Sequence, residues 1–486
     1  MNERYDVVII GAGIGGLVCG CYLAKAGLKI LIIEQQNIPG GYCTSFSRRG
    51  YRFDVGVHYL GAVKRGVLGK VLNELDLQKF LTFHQFDPTD KIIMPQESIY
   101  IRAVPEDTIQ EFERSFPDEK KAIRNFFDFI LKTDFVSIYS KIKKLTFSDI
   151  LNEYFTEEHL KSALSVLMGN IGSPADKASA LTSIIFLREF ILDPGYYPQG
   201  GMQALPDGLL QLFEENGGEI IFGKRVEKIL TQNNQVQGVI FDQKKRILSQ
   251  CIVANCDATT LFKDLLCLSD VKEFNVVDRL LPSSSVVALY VAVKNNLRKI
   301  VKEQCNIWYS NTYKVGEALS SLRRTIMQNE LPFAMICFPS LHDLLITDKH
   351  VIEVLINAPY ESEEFWREQK ESTLEKLFSI LKQFTPALRD EDVIMKFGAS
   401  PCTFERYTAN RGGAIYGWAS TPSQIKSNLV PQVSSVAGLF LAGHWCTSGV
   451  GGEGGISGVA NLGRNAARLV MNKLKVQWPW NYFILK

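Results

Sequence analysis

Tyr5-Asp6-Val7-Val8-Ile9-Ile10 runs directly into Gly11-Ala12-Gly13-Ile14-Gly15-Gly16. The apolar run is too short to span a membrane and has the length of one buried parallel strand. The glycines after it provide a tight turn, a close approach of the backbone and a helix that packs hard against the strand. Because the exposed N-terminus of such a helix binds a pyrophosphate, the stretch predicts a dinucleotide site.

The sequence around this turn supplies the context that a dinucleotide site needs. A helix is predicted from Leu17 to Ala26, ended by Gly27, and a second strand from Lys29 to Ile33. Glu34 ends that strand, near the position where a carboxylate holds the ribose hydroxyls of the adenosine. The same carboxylate repels a ribose 2′-phosphate, so NADP is disfavoured and FAD and NAD remain.

A second glycine-rich segment favours FAD over NAD. Pro39-Gly40-Gly41-Tyr42-Cys43-Thr44-Ser45 follows the acid directly, and a longer motif runs from Gly50 to Tyr59. The pair Gly40-Gly41 lets another part of the backbone approach the cofactor. This suits a flavin nucleotide that lies extended through the protein, which a plain NAD domain rarely needs.

The succession of motifs resembles a known enzyme family. The turn G-x-G-x-x-G, the terminal Glu, G-G-x-x-x-S and F-D-x-G-x-H-Y look like the phytoene desaturase, carotenoid isomerase and retinol saturase group of FAD oxidoreductases. The resemblance returns at 196–202, at 404–408 and from Gly438 to Gly458, so it spans the whole chain. Two positions depart from it: Tyr42 stands where members often have Arg, and His444 stands where many flavoproteins have Asp or Glu.

The resemblance implies an α/β flavoprotein of two domains, with a Rossmann-type FAD domain and an interleaved substrate domain of mixed sheet and helices. We expect the FAD domain to comprise residues 1–75, 200–270 and 410–475, the substrate domain residues 76–199 and 271–409, and an aromatic tail residues 476–486. Noncovalent FAD is expected. Its predicted binding residues are Gly11, Gly13, Ile14, Gly15, Gly16, Glu34, Gly40, Gly41, Val226, Gly443, His444, Gly455 and Ile456.

Periodicity divides the two substrate segments by type of structure. The first segment is predicted to be helical, and the second to contain strands together with a helix around Leu374 to Leu381. The predicted elements are helices over 106–114, 119–133 and 147–154, and strands over 286–293, 333–338 and 351–356.

Composition agrees with a cytosolic enzyme and excludes other classes of protein. At 486 residues the chain can hold two domains with sizeable cores. The balance of 54 basic against 52 acidic residues does not suggest nucleic acid binding. The ten cysteines form no C-x-x-C pair and no cluster with the six histidines, so neither a metal site nor a disulfide framework is expected. No signal peptide and no membrane span is expected.

The chemistry is then expected to come from the flavin, because the sequence contains no G-x-S-x-G elbow, metal-binding helix or P-loop. His58 is the candidate proton carrier near neutral pH, or else a neutral histidine bonded to the backbone. Tyr416 and Trp418 are expected beside the flavin ring or at the domain interface. On the other side of the ring, His444 and the turn 451–458 would direct a helix N-terminus at the pyrimidine oxygen.

Two acids within these motifs have less obvious roles. Glu405 is expected to pair with Arg406. Glu453 is expected either to point to solvent or to replace the acid missing at His444, because a carboxylate beside flavin N1 disfavours the reduced anion.

The last nine residues, Trp478-Pro479-Trp480-Asn481-Tyr482-Phe483-Ile484-Leu485-Lys486, contain four aromatic side chains. Together with the neighbouring lysines, these aromatic side chains suit the headgroup region of a bilayer. A long apolar substrate has to be collected from such a lipid phase. The tail is therefore expected to contact a membrane peripherally, with packing on the protein as the alternative. For the basic stretch Lys141 to Lys144 packing on the protein is preferred.

We therefore expect an FAD-dependent oxidoreductase acting on a hydrophobic polyene or isoprenoid, by desaturation first and by isomerisation or saturation next. One alternative is a flavin amine oxidase on the related fold, for which an aromatic cage around a small amine is not evident. Another is a cofactor-free lipid carrier like the Rab GDP-dissociation inhibitors, against which the full set of glycines and Glu34 argue.

Overall fold

The computed structural model describes residues 4–426, 429–447 and 454–480. The strands are β1 (Arg4–Ile10), β2 (Ile30–Ile33), β3 (Ser45–Arg48), β4 (Tyr51–Asp54), β5 (Phe83–Phe86), β6 (Asp90–Ile93), β7 (Ser98–Ile101), β8 (Gly195–Pro198), β9 (Glu219–Ile221), β10 (Val226–Gln232), β11 (Gln235–Phe241), β12 (Lys245–Ala254), β13 (Ser285–Val293), β14 (Asn306–Ser310), β15 (Phe333–Cys337), β16 (His350–Ala358), β17 (Val393–Ala399) and β18 (Leu439–Leu441).

The α-helices follow the same chain order, with a 3₁₀-helix at Leu167–Ile171 and a π-helix at Leu187–Ile191 among them. They are α1 (Ile14–Lys25), α2 (Val67–Glu74), α3 (Pro105–Ser115), α4 (Lys120–Lys132), α5 (Phe135–Ile142), α6 (Phe147–Tyr154), α7 (Glu158–Val166), α8 (Ala180–Phe186), α9 (Ala204–Glu215), α10 (Ala258–Thr260), α11 (Lys272–Val276), α12 (Leu297–Ile300), α13 (Val315–Ser320), α14 (Leu322–Met327), α15 (Pro339–His342), α16 (Glu363–Phe384), α17 (Pro401–Thr408), α18 (Pro422–Lys426) and α19 (Ile456–Leu474).

The predicted dinucleotide strand, β1, lies inside the first of two large sheets. It pairs in parallel with β2 on one side and with β12 on the other, in the order β10-β11-β12-β1-β2-β9, and β18 also pairs with β12. Val7 and Ile9 belong to one core and Val8 and Ile10 to another, because successive side chains of a strand point to opposite faces. Strands covered on both faces are apolar, as this one is from Val7 to Ile10.

The second sheet has the order β17-β13-β16-β15-β14-β6-β7. One of its faces packs under the helices of the first substrate segment, and the other packs on α16. The first sheet takes its strands from within residues 4–33, 219–254 and 439–441, and the second from within 90–101, 285–358 and 393–399. The α/β class with a mixed second sheet is confirmed, while the domain boundaries themselves stay a prediction.

The start of the aromatic tail packs on the first sheet's helices. Trp478 is buried and stacks on Tyr22 of α1 with ring centroids 5.3 Å apart, and Trp480 meets the same ring edge-on at 4.8 Å. Glu74 of α2 accepts hydrogen bonds from Tyr22 Oη (2.6 Å) and Arg464 Nε (2.6 Å), and its carbonyl accepts from Trp480 Nε1 (3.2 Å). The prediction that Trp478 faces a bilayer is therefore wrong, and Trp480 is half-buried in the same contact. Tyr482 and Phe483 lie outside the described residues.

Two carboxyl groups meet in the interior where β4 crosses β16. The Asp54 N–H donates to Glu353 Oε1 at 2.8 Å, and neither side chain is appreciably exposed. Asp54 also accepts hydrogen bonds from Ser45, Tyr197 and the Met202 N–H, whereas Glu353 Oε2 has no partner among the described residues. Burial and the adjacent Asp54 carboxylate raise the pKa of Glu353 well above its usual range, so Glu353 keeps its proton to a higher pH in the folded chain than in the unfolded chain.

Because of the raised pKa of Glu353, we expect the folded chain to lose stability as the pH rises. The unfolded chain releases the Glu353 proton near pH 4.5 and the folded chain does not, so the free energy of unfolding falls as the pH rises above that value. Glu353→Gln removes this loss. The unfolding free energy of the variant relative to the native chain should therefore rise between pH 5 and 8, by up to about 1.4 kcal/mol per pH unit.

Urea titrations at several pH values measure this difference. Glu371→Gln, on the exposed side of α16, is the matched control and should show no comparable trend. A pH-independent difference for Glu353→Gln would mean that this carboxyl is ionised in the folded chain.

Candidate active site and cofactor site

A cavity of about 1350 Å³ begins at the carboxyl ends of β1 and β2 and reaches the helices of the first substrate segment. Ligands of parallel α/β sheets bind at that edge. The volume exceeds the roughly 300–1,000 Å³ of an ordinary ligand pocket, so a dinucleotide and a substrate have room together. Every predicted cofactor residue that the structure describes lines it except Gly16.

The glycine turn is built by close backbone packing. A Cβ on Gly16 would overlap the carbonyl oxygen of Gly11, and one on Gly15 would lie 2.8 Å from both Asn255 Oδ1 and the Gly443 nitrogen. Gly13 precedes α1 as its N-cap and has no side chain to satisfy the first N–H groups. These donors at the positive end of α1 therefore fit the pyrophosphate of FAD.

Glu34, the residue predicted to hold the ribose hydroxyls, directly follows β2 and lines the cavity. Its Oε2 accepts from the Ala12 N–H at 2.6 Å and its Oε1 from the Gln36 N–H at 2.8 Å. Burial raises the pKa of Glu34, and these backbone donors oppose that effect. Each oxygen keeps a second lone pair for a hydroxyl group. Val226, the residue predicted beside the adenine, and Lys224 line the same cavity.

Asn255 is a structural centre of this site that the sequence analysis missed. It follows β12, and its Nδ2 donates to the Gly11 carbonyl at 3.2 Å. A Cβ on Gly443 would lie 2.5 Å from Asn255 Oδ1, so one amide holds together the loops that follow β1 and β18. The sequence could have indicated Asn255 through its position directly after a predicted strand, because the carboxyl ends of neighbouring parallel strands meet at one edge of the sheet.

A second helix N-terminus opens on the same cavity. A Cβ on Gly463 of α19 would overlap the carbonyl oxygen of Gly15, so α19 packs closely against α1. Gly455, the N-cap of α19, and Ile456 line the cavity. His444 lines it as well, and burial lowers its pKa to about 4, so this position presents a neutral imidazole in place of a carboxylate. Glu453 and the rest of 448–453 lie outside the described residues.

Tyr42, which stands where the resembling family often has Arg, connects the glycine pair to the last cofactor segment. Its hydroxyl donates to the carbonyl oxygens of Gly413 (3.2 Å) and Ala414 (3.1 Å), and its ring lies 6.1 Å from that of His444. Burial raises the pKa of Tyr42 to about 12, so the hydroxyl remains a donor at neutral pH.

His58 lines the cavity, but its environment differs from the prediction. It is buried, and neither ring nitrogen makes a well-formed hydrogen bond to the described residues, although the Gly56 backbone lies close enough to oppose part of the effect of burial on its pKa. Burial lowers its pKa to about 4, so the expected titration near neutral pH is wrong. A neutral imidazole with free nitrogens can still accept a proton from a bound substrate.

The other two catalytic candidates have different surroundings. The Tyr416 ring lies against Gly172 at the end of the 3₁₀-helix and against Gly454 just before α19, and it lines the cavity between them. Trp418 donates from Nε1 to the Trp445 carbonyl at 2.8 Å and packs edge-on against that ring in the core. Tyr416 thus lies near the predicted flavin position, while the surroundings of Trp418 favour the packing alternative.

Two further acids have partners that the sequence did not predict. Glu405 accepts from Tyr360 Oη (2.6 Å) and the Gly412 N–H (2.9 Å) instead of pairing with Arg406. Asp90, fully buried, accepts from Tyr59 Oη (2.6 Å) and Trp308 Nε1 (3.0 Å), and burial raises its pKa to about 6. Both aromatic rings line the cavity, so Asp90 holds part of its wall from behind. Within the described residues, no group of three or more His, Cys, Asp or Glu could hold a metal ion.

The family model for flavin-containing amine oxidoreductases matches residues 14–471. The chain belongs to this family. It is 23% identical to all-trans-retinol 13,14-reductase of Rattus norvegicus (85% of this chain, 77% of the relative). It is 27% identical to the lycopene-forming phytoene desaturase of Pantoea ananas (59% and 63%) and 24% identical to prolycopene isomerase 1 of an Oncidium hybrid cultivar (97% and 85%).

Solved structures show the same fold at low sequence identity. An oxidoreductase from Methanosarcina mazei superposes with a TM-score of 0.69 at 18% identity (97% of this chain, 100% of the other), and a putrescine oxidase variant with 0.67 at 12% (97% and 99%). A Rab GDI from Plasmodium falciparum gives 0.55 at 13% (100% of both). The family membership confirms an FAD-dependent oxidoreductase of the group that the motifs resembled.

Gly13→Val tests the glycine turn as the pyrophosphate site. A branched side chain at the N-cap of α1 would occupy the space in front of its free N–H groups, so the purified variant should be folded and colourless. The flavin absorbance of the purified protein, with circular dichroism as the check of folding, measures this. Gly16→Ala is the comparison, because its Cβ overlaps the Gly11 carbonyl and should reduce the yield of folded protein. A full flavin spectrum in Gly13→Val would rule out this turn.

Proposed function

We propose that this FAD-dependent oxidoreductase acts on a hydrophobic polyene or isoprenoid, with FAD held noncovalently by the predicted cofactor residues and the domains divided as predicted. The observation that carries the proposal is the apolar arm, the part of the cavity lined by Leu131, Phe135, Ile138, Ile185 and Phe186. These side chains come from the end of α4, from α5 and from α8. Such a lining favours a long apolar substrate over a small polar one.

Aromatic rings continue from the arm toward His58. Phe186 stacks on Phe190 at 5.2 Å, Phe190 stacks on Tyr59 at 4.3 Å, and His58 lies edge-on to Phe190 at 6.0 Å. Flat, conjugated chains pack well against such faces. The series therefore supports a substrate that extends from the arm to the predicted flavin position.

The residues of the cavity would bind and orient the reacting part of this substrate, and they would exclude water from it. When bound, FAD supplies the hydride chemistry. The N-termini of α1 and α19 hold its charged groups, and Tyr416 closes the wall between Gly172 and Gly454. His58, uncharged at neutral pH, would take the proton that leaves the carbon next to the one losing hydride. Desaturation is the preferred reaction, and isomerisation or saturation are the alternatives at the same site.

A flavin amine oxidase is the second candidate. Glu189 and Asp193 line the cavity and could attract a cationic amine, although burial raises the pKa of both. The putrescine oxidase likeness concerns the fold alone. The apolar arm, which a small amine would not fill, favours the polyene.

Anaerobic mixing of the oxidised holoenzyme with substrate separates the reaction types. Phytoene or another polyene should bleach the flavin absorbance if the enzyme is a desaturase. An isomerase would need prior reduction of the flavin, and a saturase would reoxidise reduced flavin when polyene is added. Fast bleaching by putrescine with none by any lipid would support the amine oxidase instead.

His58→Gln, within the same experiment, should slow the bleaching by about 10²–10⁴-fold while the flavin spectrum persists, because it removes the proton acceptor. With a pKa of about 4, the contribution of His58 should be constant between pH 5 and 8. Glu371→Gln, on the exposed side of α16 and outside the cavity, is the control and should leave the bleaching rate unchanged.

We also propose that the enzyme lies peripherally on the cytoplasmic face of a membrane, with the mouth of the apolar arm toward the lipid. None of the described helices is long and apolar enough to cross a bilayer. Val136 is 70% exposed beside the lining residue Phe135, and Val104 is 53% exposed beside the lining residue Pro105. The exposed Lys132, which is paired with Asp128 at 2.7 Å, lies close to Phe135. Exposed apolar side chains with basic neighbours suit a lipid surface.

Val136→Glu should weaken co-sedimentation with liposomes that contain anionic lipid, because it places a charge on the apolar rim. Met327→Glu is the matched control. Met327 is 53% exposed at the end of α14, on the side of the second sheet opposite to the arm, and its substitution should leave binding unchanged. Equal binding by both variants and the native chain would exclude this rim as the contact.

A further inference from the structure

The 3₁₀-helix Leu167–Ile171 carries one polar side chain into the wall of the cavity. Asn170 lines the cavity and is only 9% exposed, and its Nδ2 has no hydrogen-bond partner among the described residues. A buried amide without a partner is unfavourable, so such groups in folded proteins commonly await a water or a ligand. Because an amide carries a donor and an acceptor at nearly equivalent positions, either end can serve.

The neighbouring polar side chains of this wall are already engaged. The Asn357 amide donates to the Gly169 carbonyl (3.2 Å) and to Ser284 Oγ (3.1 Å). The Trp308 ring, which lies beside Gly169, donates from Nε1 to Asp90. The Nδ2 of Asn170, by contrast with these amide and indole donors, has hydrogen-bonding capacity left for a ligand.

Asn170 also lies close to the reacting end of the cavity. Two residues further along the chain, Gly172 contacts the Tyr416 ring, and that ring contacts Gly454 just before α19. Two residues span at most about 7 Å, so Asn170 is near the wall that faces the predicted flavin position. The Trp308 ring, which lies beside Gly169, is edge-on to the His58 ring with centroids 6.4 Å apart. A group bound by Asn170 would thus be near the reacting carbons.

We propose that Asn170 binds an oxygen atom of the substrate, so that the enzyme prefers an oxygenated polyene or isoprenoid, with a hydroxyl or carbonyl group, to the hydrocarbon of the same skeleton. The inference rests on the proposed function, since it requires a polyene or isoprenoid chain in the apolar arm. The amide donates to a carbonyl, or donates to and accepts from a hydroxyl. When the hydrocarbon binds, the amide stays buried and unpaired. A site built to hydrogen-bond a polar group of its substrate rejects the analogue without that group strongly, so the oxygenated ligand is preferred.

Matched pairs of ligands that differ only in oxygen test this on the oxidised holoenzyme. The pairs are all-trans-retinol with its 15-deoxy hydrocarbon, and zeaxanthin with β-carotene, each titrated while the flavin absorbance is followed. In at least one pair the oxygenated member should bind at least about tenfold more tightly. If the hydrocarbon of each pair binds as tightly, the inference is overturned and the proposed function stands. If no member perturbs the flavin while putrescine does, the proposed function fails, and the inference fails with it.

Substitutions assign the preference to Asn170. Asn170→Leu keeps the shape of the side chain and should bring the oxygenated ligand to the affinity of the hydrocarbon, with hydrocarbon affinity changed less than about twofold. Asn170→Ser keeps a donor and should retain part of the preference, and Glu371→Gln, on the exposed side of α16, should retain all of it. A preference that survives Asn170→Leu overturns the inference. So does loss of hydrocarbon binding in both Asn170 variants, which would give this residue a purely structural role.

Discussion

The close contact of α1 with α19, at Gly15 and Gly463, is the constraint on which the rest of the site depends. The helices approach until a single added carbon at Gly463 would overlap the Gly15 carbonyl, and Asn255 joins the adjoining loops at Gly11 and Gly443. The N-termini of both helices therefore open on one cavity, at the edge where the parallel strands end. Their fixed partial positive charges favour a phosphate at one helix and an electron-rich ring oxygen at the other.

Buried polar groups follow a pattern along the wall of this cavity. Asp90, behind the wall, is satisfied by the hydroxyl of Tyr59 and the indole of Trp308, and Asp54 has several donors. The groups that face the cavity at Asn170 and His58 have unpaired nitrogen atoms. The satisfied hydrogen-bond network behind the wall holds the Tyr59 and Trp308 rings in place. Unpaired polar groups that face the cavity are unfavourable until a ligand forms hydrogen bonds with them. This difference separates the residues that build the site from those available to a substrate.

Local patterns were enough to predict several elements of the fold. The helix over 147–154 agrees with α6, which begins with a capping box at Thr146 and Asp149, and the strand over 286–293 differs from β13 by one residue. The first helix was predicted from Leu17, but α1 begins at Ile14, because Gly15 and Gly16 are helical. Glycine is a poor helix former, and these two are explained only by their contacts with Asn255, Gly443 and the Gly11 carbonyl.

The sequence by itself determined the dinucleotide turn, the acid at the end of β2 and the preference for FAD, since all three are properties of neighbouring residues. Only the tertiary structure decided the state of His58, the place of Asn255, the free amide of Asn170 and the packing of Trp478 on Tyr22. The physical reason is that burial and hydrogen-bond partners come from segments far apart in the chain. A pKa or an unpaired amide depends on what surrounds a side chain, and that is absent from the local pattern.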